Sequence, residues 1–202
     1  MKKSSVFVSA LLLFVYGAKS QSRFAVKTGL NLANQSKNIS IPQLPSIQQH
    51  TESLIGYQFG VVYKTILSKN LFLSAEPAFS VIGSSMTLLG SDGGSYATDE
   101  KLGYIELPLI FQYSLKKLYF GVGPSMGLKL FSKLSGFENR TFNITSYKSM
   151  DAAGNLLVGY SLSKKIDFNA RYSHGLMNII KDPGYAKTKN RFFNFSVLCY
   201  LK

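Results

Sequence analysis

From Ile55 to Tyr63 the side chains alternate with a period of two. Ile55, Tyr57, Phe59, Val61 and Tyr63 stand on one face; Gly56, Gln58, Gly60 and Val62 stand on the other, with Lys64 next. The stretch from Ile166 to Leu176 repeats this: Ile166, Phe168, Ala170, Tyr172, His174 and Leu176 oppose Asp167, Asn169, Arg171, Ser173 and Gly175. Such alternation marks strands with one face in an apolar medium and the other in a polar one. No helical stripe of period 3.6 competes with it. Eight segments of this kind run roughly over 22–33, 54–66, 71–83, 102–114, 118–130, 152–162, 166–178 and 191–202. Short connections near Leu67–Asn70, Leu115–Lys117 and Ser163–Lys165 alternate with long ones near 34–53, 84–101, 131–151 and 179–190. Short turns at one end and long polar loops at the other predict an all-β fold, an eight-stranded antiparallel up-and-down transmembrane β-barrel. Segments of about 11–13 residues suffice to cross a bilayer at a tilt.

Parity assigns the faces. Phe24, Val26, Leu30 and Leu32 face lipid in the first segment; Ile105, Leu107, Leu109, Phe111 and Tyr113 do so in the fourth. Leu118, Phe120, Val122, Met126 and Leu128 follow in the fifth, and Phe193, Phe195, Val197, Cys199 and Leu201 in the last. A soluble barrel would turn this face inward and carry many charges outside. The opposite face is instead Gly, Ser, Asn, Gln and Tyr with few charges, which suits a narrow lumen. Pro77, Pro108 and Pro124 fall inside strands, where a closed barrel has no free edge for a missing N–H, and predict local bulges at one height.

Composition narrows the setting. The chain has 202 residues, 16% of them charged, with one Cys and no Trp. A single Cys excludes an intramolecular disulfide framework. Residues 1–20 read as a secretory signal: Lys2 and Lys3, an apolar core from Val6 to Tyr16, and Ala18-Lys19-Ser20 before a cleavage point at Gln21. The domain division is therefore a signal peptide over 1–20 and a barrel over 21–202. Without Lys2, Lys3 and Lys19, 20 basic residues face 10 acidic ones. An exported chain has no access to nucleic acid, so this charge points to outer-membrane lipid and lipopolysaccharide phosphates.

The charges with chemical content are few. Glu76, Glu106 and Arg171 share the luminal face at similar heights, and a buried charge is tolerable only when paired. They predict an ion cluster across the lumen, with Glu76 or Glu106 on Arg171 and with Lys27, Lys64, Gln58, Gln112, Tyr104 and Asp167 as extensions. Lys133, Arg140, Lys148, Lys181, Lys187, Lys189 and Arg191 gather in or beside the third and fourth long loops as lipopolysaccharide contacts. Asp92, Asp99 and Glu100 could hold a divalent cation loosely, but their spacing matches no calcium loop. With only His50 and His174, and no Ser and acid in register with either, no catalytic triad or metal site is predicted, and no cofactor. His174 shares the parity of Tyr172 and Leu176, which places it at the membrane interface.

The segments GYIELPLIFQYSL (103–115), LYFGVGPSMGL (118–128), RFAVKTGLNLA (23–33) and ARYSHGLMNI (170–179) resemble the small outer-membrane β-barrel family of Gram-negative bacteria, labelled PorT-like or outer membrane protein β-barrel. The shared marks are Glu106-x-Pro108, Gly121-x-Gly123-Pro124 and Arg171-Tyr172-x-x-Gly175-Leu176. The resemblance implies an eight-stranded barrel in the outer membrane and no single activity; some relatives serve protein secretion. The expected function is a non-enzymatic barrel displaying four extracellular loops for envelope structure, adhesion or assembly with an envelope protein partner. The alternatives are a narrow gated pore for small solutes or ions and a secretion-system accessory barrel.

Overall fold

The computed structural model describes residues 22–39, 47–49, 51–89, 95–135, 141–143, 146–181 and 186–201. Residues 1–20, and with them the expected signal, lie outside the described residues, as do His50, Asp92 and Arg140. The strands are β1 (Arg23–Ile39), β2 (Ile47–Gln49), β3 (Glu52–Ser68), β4 (Leu71–Ala75), β5 (Ala78–Leu89), β6 (Ser95–Leu115), β7 (Leu118–Ser135), β8 (Thr141–Asn143), β9 (Met150–Ser161), β10 (Ile166–Gly175) and β11 (Ala186–Tyr200).

β4 and β5 form one stave, interrupted at Glu76 and Pro77. The ring runs β1, β3, β4/β5, β6, β7, β9, β10, β11 and back to β1, each pairing antiparallel. β2 and β8 are short additions on β1 and β7. Closure leaves no free edge on any of the eight staves.

Several staves are longer than the hydrophobic pattern indicates. β1, β3, β5, β6, β7 and β11 continue past the apolar band into stretches expected as loops. There the polar residues keep alternating: Gln35, Ser84, Thr98 and Thr188 remain buried inside the barrel. Main-chain pairing continues wherever alternate side chains can pack inside, whatever medium lies outside.

The faces follow parity. Leu30, Ile55, Phe59, Leu107, Phe120, Val122, Leu156, Phe168 and Phe195 all stand on the outside, roughly half exposed. The buried set is instead rich in Ser, Asn, Gln and charged groups. This is the reverse of a soluble core, and in a bilayer the outer face meets hydrocarbon.

The expected proline bulges are absent. Pairing registers run unshifted through Pro77, Pro108 and Pro124. Glu76 N donates to Pro108 O at 3.0 Å and Val61 N to Pro77 O at 3.0 Å. Each proline therefore removes one ladder donor while its carbonyl or its flanking pairs hold the register. The register shifts lie elsewhere, at Gly103/Tyr104, Ser53/Gln58 and Ile66/Ser68.

Candidate functional site

The lumen is a column of polar groups, and its middle holds an ion cluster. Glu76 sits where β4 ends, with its side chain fully buried. Glu76 Oε2 accepts from Lys27 Nζ at 2.8 Å and from Arg171 Nη1 at 3.2 Å, and Oε1 accepts from Ser74 Oγ at 3.0 Å. Arg171 Nη2 reaches Gln58 Oε1 at 3.3 Å, and Gln58 Nε2 reaches Glu106 Oε2 at 3.4 Å. Gln112 Nε2 donates to Ser74 at 2.8 Å. The three residues expected to meet are thus near one another, but unequally: Glu76 takes Arg171 directly, while Glu106 is linked to it through Gln58. One carboxylate serves two cations, and Lys27 makes the shorter contact.

Other residues expected in this network lie apart from it. Lys64, toward the short-turn end, lies over the rings of Tyr119 and Phe72 at 4.5 and 4.7 Å. Asp167 accepts from Tyr200 Oη at 3.0 Å. Tyr104 belongs to a layer nearer the long loops.

Above the cluster, Asn31 Nδ2 donates to Ser80 Oγ at 2.9 Å, Asn194 Nδ2 to Asn31 Oδ1 at 2.8 Å, and Ser173 Oγ to Asn155 Oδ1 at 2.7 Å. These short polar side chains pack where eight staves leave little room. They were hard to single out in the sequence, because isolated Asn and Ser carry no motif; luminal parity was the only signal.

Near the long-loop end the interior turns apolar. Ala33, Ile82, Leu102, Tyr104 and Phe192 from the strands pack with Tyr147 and Ile179 from two connections, and Ile180 joins them. The two connections are stitched together: Lys148 N donates to Ile179 O at 2.6 Å and Lys181 N to Ser146 O at 2.8 Å. Burial beside Glu100 pushes the Tyr147 hydroxyl pKa upward, so it stays a donor, and it hydrogen-bonds the Glu100 carboxylate. Glu100 also pairs with Lys37 Nζ at 2.9 Å. The expectation that Glu100 lies in a loop beside Asp99 as a loose cation ligand therefore changes. Glu100 points into the barrel from β6, while Asp99 is half-exposed.

The outer cations are mostly on strands, not in loops. Lys133 lies on β7 directly opposite Lys101 of β6, and both are exposed. They stand beyond Ile105, Leu128 and Leu130, with Lys133 Nζ 5.6 Å from the ring centre of Phe131. Lys187, Lys189 and Arg191 rise along β11 above Phe193 and Phe195; Lys181 is exposed and Lys148 half-buried in the connections. His174 pairs Arg191 across strands, and its Nδ1 lies 3.1 Å from Tyr172 Oη.

Comparisons with known proteins agree with this architecture. The sequence profile described as outer membrane protein beta-barrel domain matches residues 17–181. No curated protein sequence matches the chain. Among solved structures, Neisserial surface protein A superposes with a TM-score of 0.51 at 13% identity, covering 89% of this chain and 98% of that one. The attachment invasion locus protein Ail of Yersinia pestis gives 0.43 at 10% identity, covering 90% and 99%. OprG from Pseudomonas aeruginosa gives 0.39 at 14% identity, covering 91% and 98%.

Proposed function

The chain belongs to the outer membrane protein β-barrel domain family and lies in the bacterial outer membrane, and from that premise we propose that it is a non-enzymatic, closed scaffold that presents its long-loop end to the cell exterior. Export is by the N-terminal signal over 1–20, leaving the barrel from Gln21. The loops serve adhesion, envelope structure or docking of an envelope protein.

The observation that carries this reading is the double closure of the lumen. The ion cluster around Glu76 fills the middle, and the apolar layer around Tyr147 and Ile179 fills the outer mouth. An apolar layer raises the barrier to ions, since each would enter it stripped of water. Planar-bilayer recording tests the reading. The purified barrel is expected to give no discrete conductance steps. Steps that change with Arg171→Ala would replace the scaffold with a gated pore.

The proposed partner at the outer leaflet is lipopolysaccharide. Lys101 and Lys133 face each other on adjacent strands, a like-charge pairing that costs stability unless an anion lies between them. They stand at the rim of the apolar band, where headgroup phosphates sit. Lys187, Lys189 and Arg191 offer further phosphate donors above Phe193. Substituting Lys101 and Lys133 by Gln is expected to lower the lipopolysaccharide retained through purification; unchanged retention would count against this contact.

A further inference from the structure

Between the ion cluster and the apolar layer lies a small cavity lined by Tyr104, Glu106, Ser125, Gly127, Asp151 and Asn190, among others. Its free space is about 10 Å³, room for roughly one water-sized sphere. Glu106, Gly127 and Asp151 stand in one row on β6, β7 and β9, since Glu106 pairs Gly127 and Gly127 pairs Asp151. The two carboxylate stems are therefore about 10 Å apart, two strand spacings, with no side chain between them. A Cβ on Gly127 would meet Tyr104 Cδ1 at 3.2 Å and Glu106 Cγ at 3.8 Å. Glycine at this position keeps the gap open.

The groups facing the gap have an excess of acceptors. Asp151 Oδ2 accepts from Asn190 Nδ2 at 2.8 Å and Oδ1 from Ala152 N at 2.8 Å. Asn190 Nδ2 also approaches Tyr104 Oη at 3.4 Å. Asn155 Nδ2 donates to Ser125 Oγ at 3.0 Å. Among the described residues Glu106 receives a single, long hydrogen bond, from Gln58. Among the described residues neither Glu106 nor Asp151 has a salt bridge. Asn190 is 3% exposed, and its Oδ1 has no hydrogen-bond partner. Glu106 also lies within electrostatic reach of Arg171 and Lys27, so Asp151 is the carboxylate left without a cation; together with an orphan amide oxygen beside a one-sphere cavity it calls for a positive charge there.

We propose that this cavity binds one divalent cation, held by Glu106, Asp151 and the Asn190 side-chain oxygen, with Ser125 and Tyr104 hydroxyls completing an all-oxygen set. Ligands drawn from four strands form an irregular cage, which calcium accepts and magnesium, with its strict octahedron, does not. The ion ties β6, β7, β9 and β11 together just beneath the apolar layer. The site does not depend on whether the lumen conducts.

The test uses the full chain folded into detergent micelles free of lipopolysaccharide and titrated with calcium chloride by calorimetry, with thermal melts in parallel. The expected result is one calcium per barrel, with an affinity on the order of 10⁻⁴–10⁻³ M, as in extracellular modules. A calcium-dependent rise in Tm, reversed by EDTA, is expected alongside. Asp151→Asn and Gly127→Ala should each weaken binding at least about tenfold, equivalent to about 1.4 kcal/mol. Gly127→Ala keeps both carboxylates and covers the case in which Asp151→Asn does not fold. Asp99→Asn, on the barrel exterior, should leave binding unchanged. Absence of saturable binding up to about ten times that range, or binding indifferent to both cavity substitutions, or binding lost in Asp99→Asn, would overturn the proposal.

Discussion

Glu76 and Arg171 are expected to be energetically unequal, although they are partners in one ion pair. Removing one member of a buried pair costs about 3–5 kcal/mol, because the other is left buried and uncompensated. In Arg171→Met the Glu76 carboxylate still holds Lys27 at 2.8 Å and Ser74 at 3.0 Å, so the cost should lie near the lower end, about 3 kcal/mol. In Glu76→Gln both Lys27 and Arg171 lose their direct carboxylate, and the cost should reach about 5 kcal/mol. At 1.4 kcal/mol per decade, that is about two against more than three orders of magnitude in the folding equilibrium. The double substitution removes one stranded cation together with the carboxylate. It should therefore cost less than the sum of the two by about 1–3 kcal/mol. Urea titration of the barrel in lipid vesicles, read by the different gel migration of folded and boiled protein, gives all three values. Additivity within about 0.5 kcal/mol, or a costlier Arg171→Met than Glu76→Gln, would refute the account of a carboxylate shared by two cations.

Two further outcomes follow from the facing of the strands and from one close contact. Met126→Arg, at an outward position near the middle of the apolar band, should destabilise the barrel in vesicles by about 2–4 kcal/mol, and the same titration would count against the lipid-facing assignment if it cost nothing. Gly159→Ala should destabilise by about 1–3 kcal/mol, because its Cβ would run into the Tyr119 ring inside the lumen. Pairing it with Tyr119→Leu should recover part of that loss, and equal stability of single and double variants would show that the ring is not the obstacle.

The barrel was legible because period-2 alternation is a direct physical imprint of two media, and it survives without any motif. Phe120 outside and Tyr119 inside follow from parity alone. Strand ends were less legible. Above the lipid band the outer face loses its apolar residues, so the alternation fades although the pairing of β1 with β11 continues to Ile39 and Ala186. The prolines misled for a related reason: a bulge is one remedy for a missing donor, but an unshifted ladder with one absent bond serves here. In the lumen, charges stood out against a small-polar background, so Glu76, Glu106 and Arg171 were visible. Lys27 emerged as the tighter partner of Glu76 only through the stagger between β1 and β4. The apolar layer was hidden altogether, since Tyr147 and Ile179 come from connections whose path no periodicity describes.

The central claim is that the apolar face of these strands meets hydrocarbon while the polar face encloses the axis. The chain has no tryptophan, so a single introduced one is a clean reporter. Phe120→Trp and Tyr119→Trp place it on neighbouring residues of β7 with opposite facing. In vesicles of lipid brominated at mid-chain, fluorescence from the Phe120→Trp protein should be strongly quenched and that from Tyr119→Trp nearly unaffected. Equal quenching of the two, or quenching confined to position 119, would contradict the account.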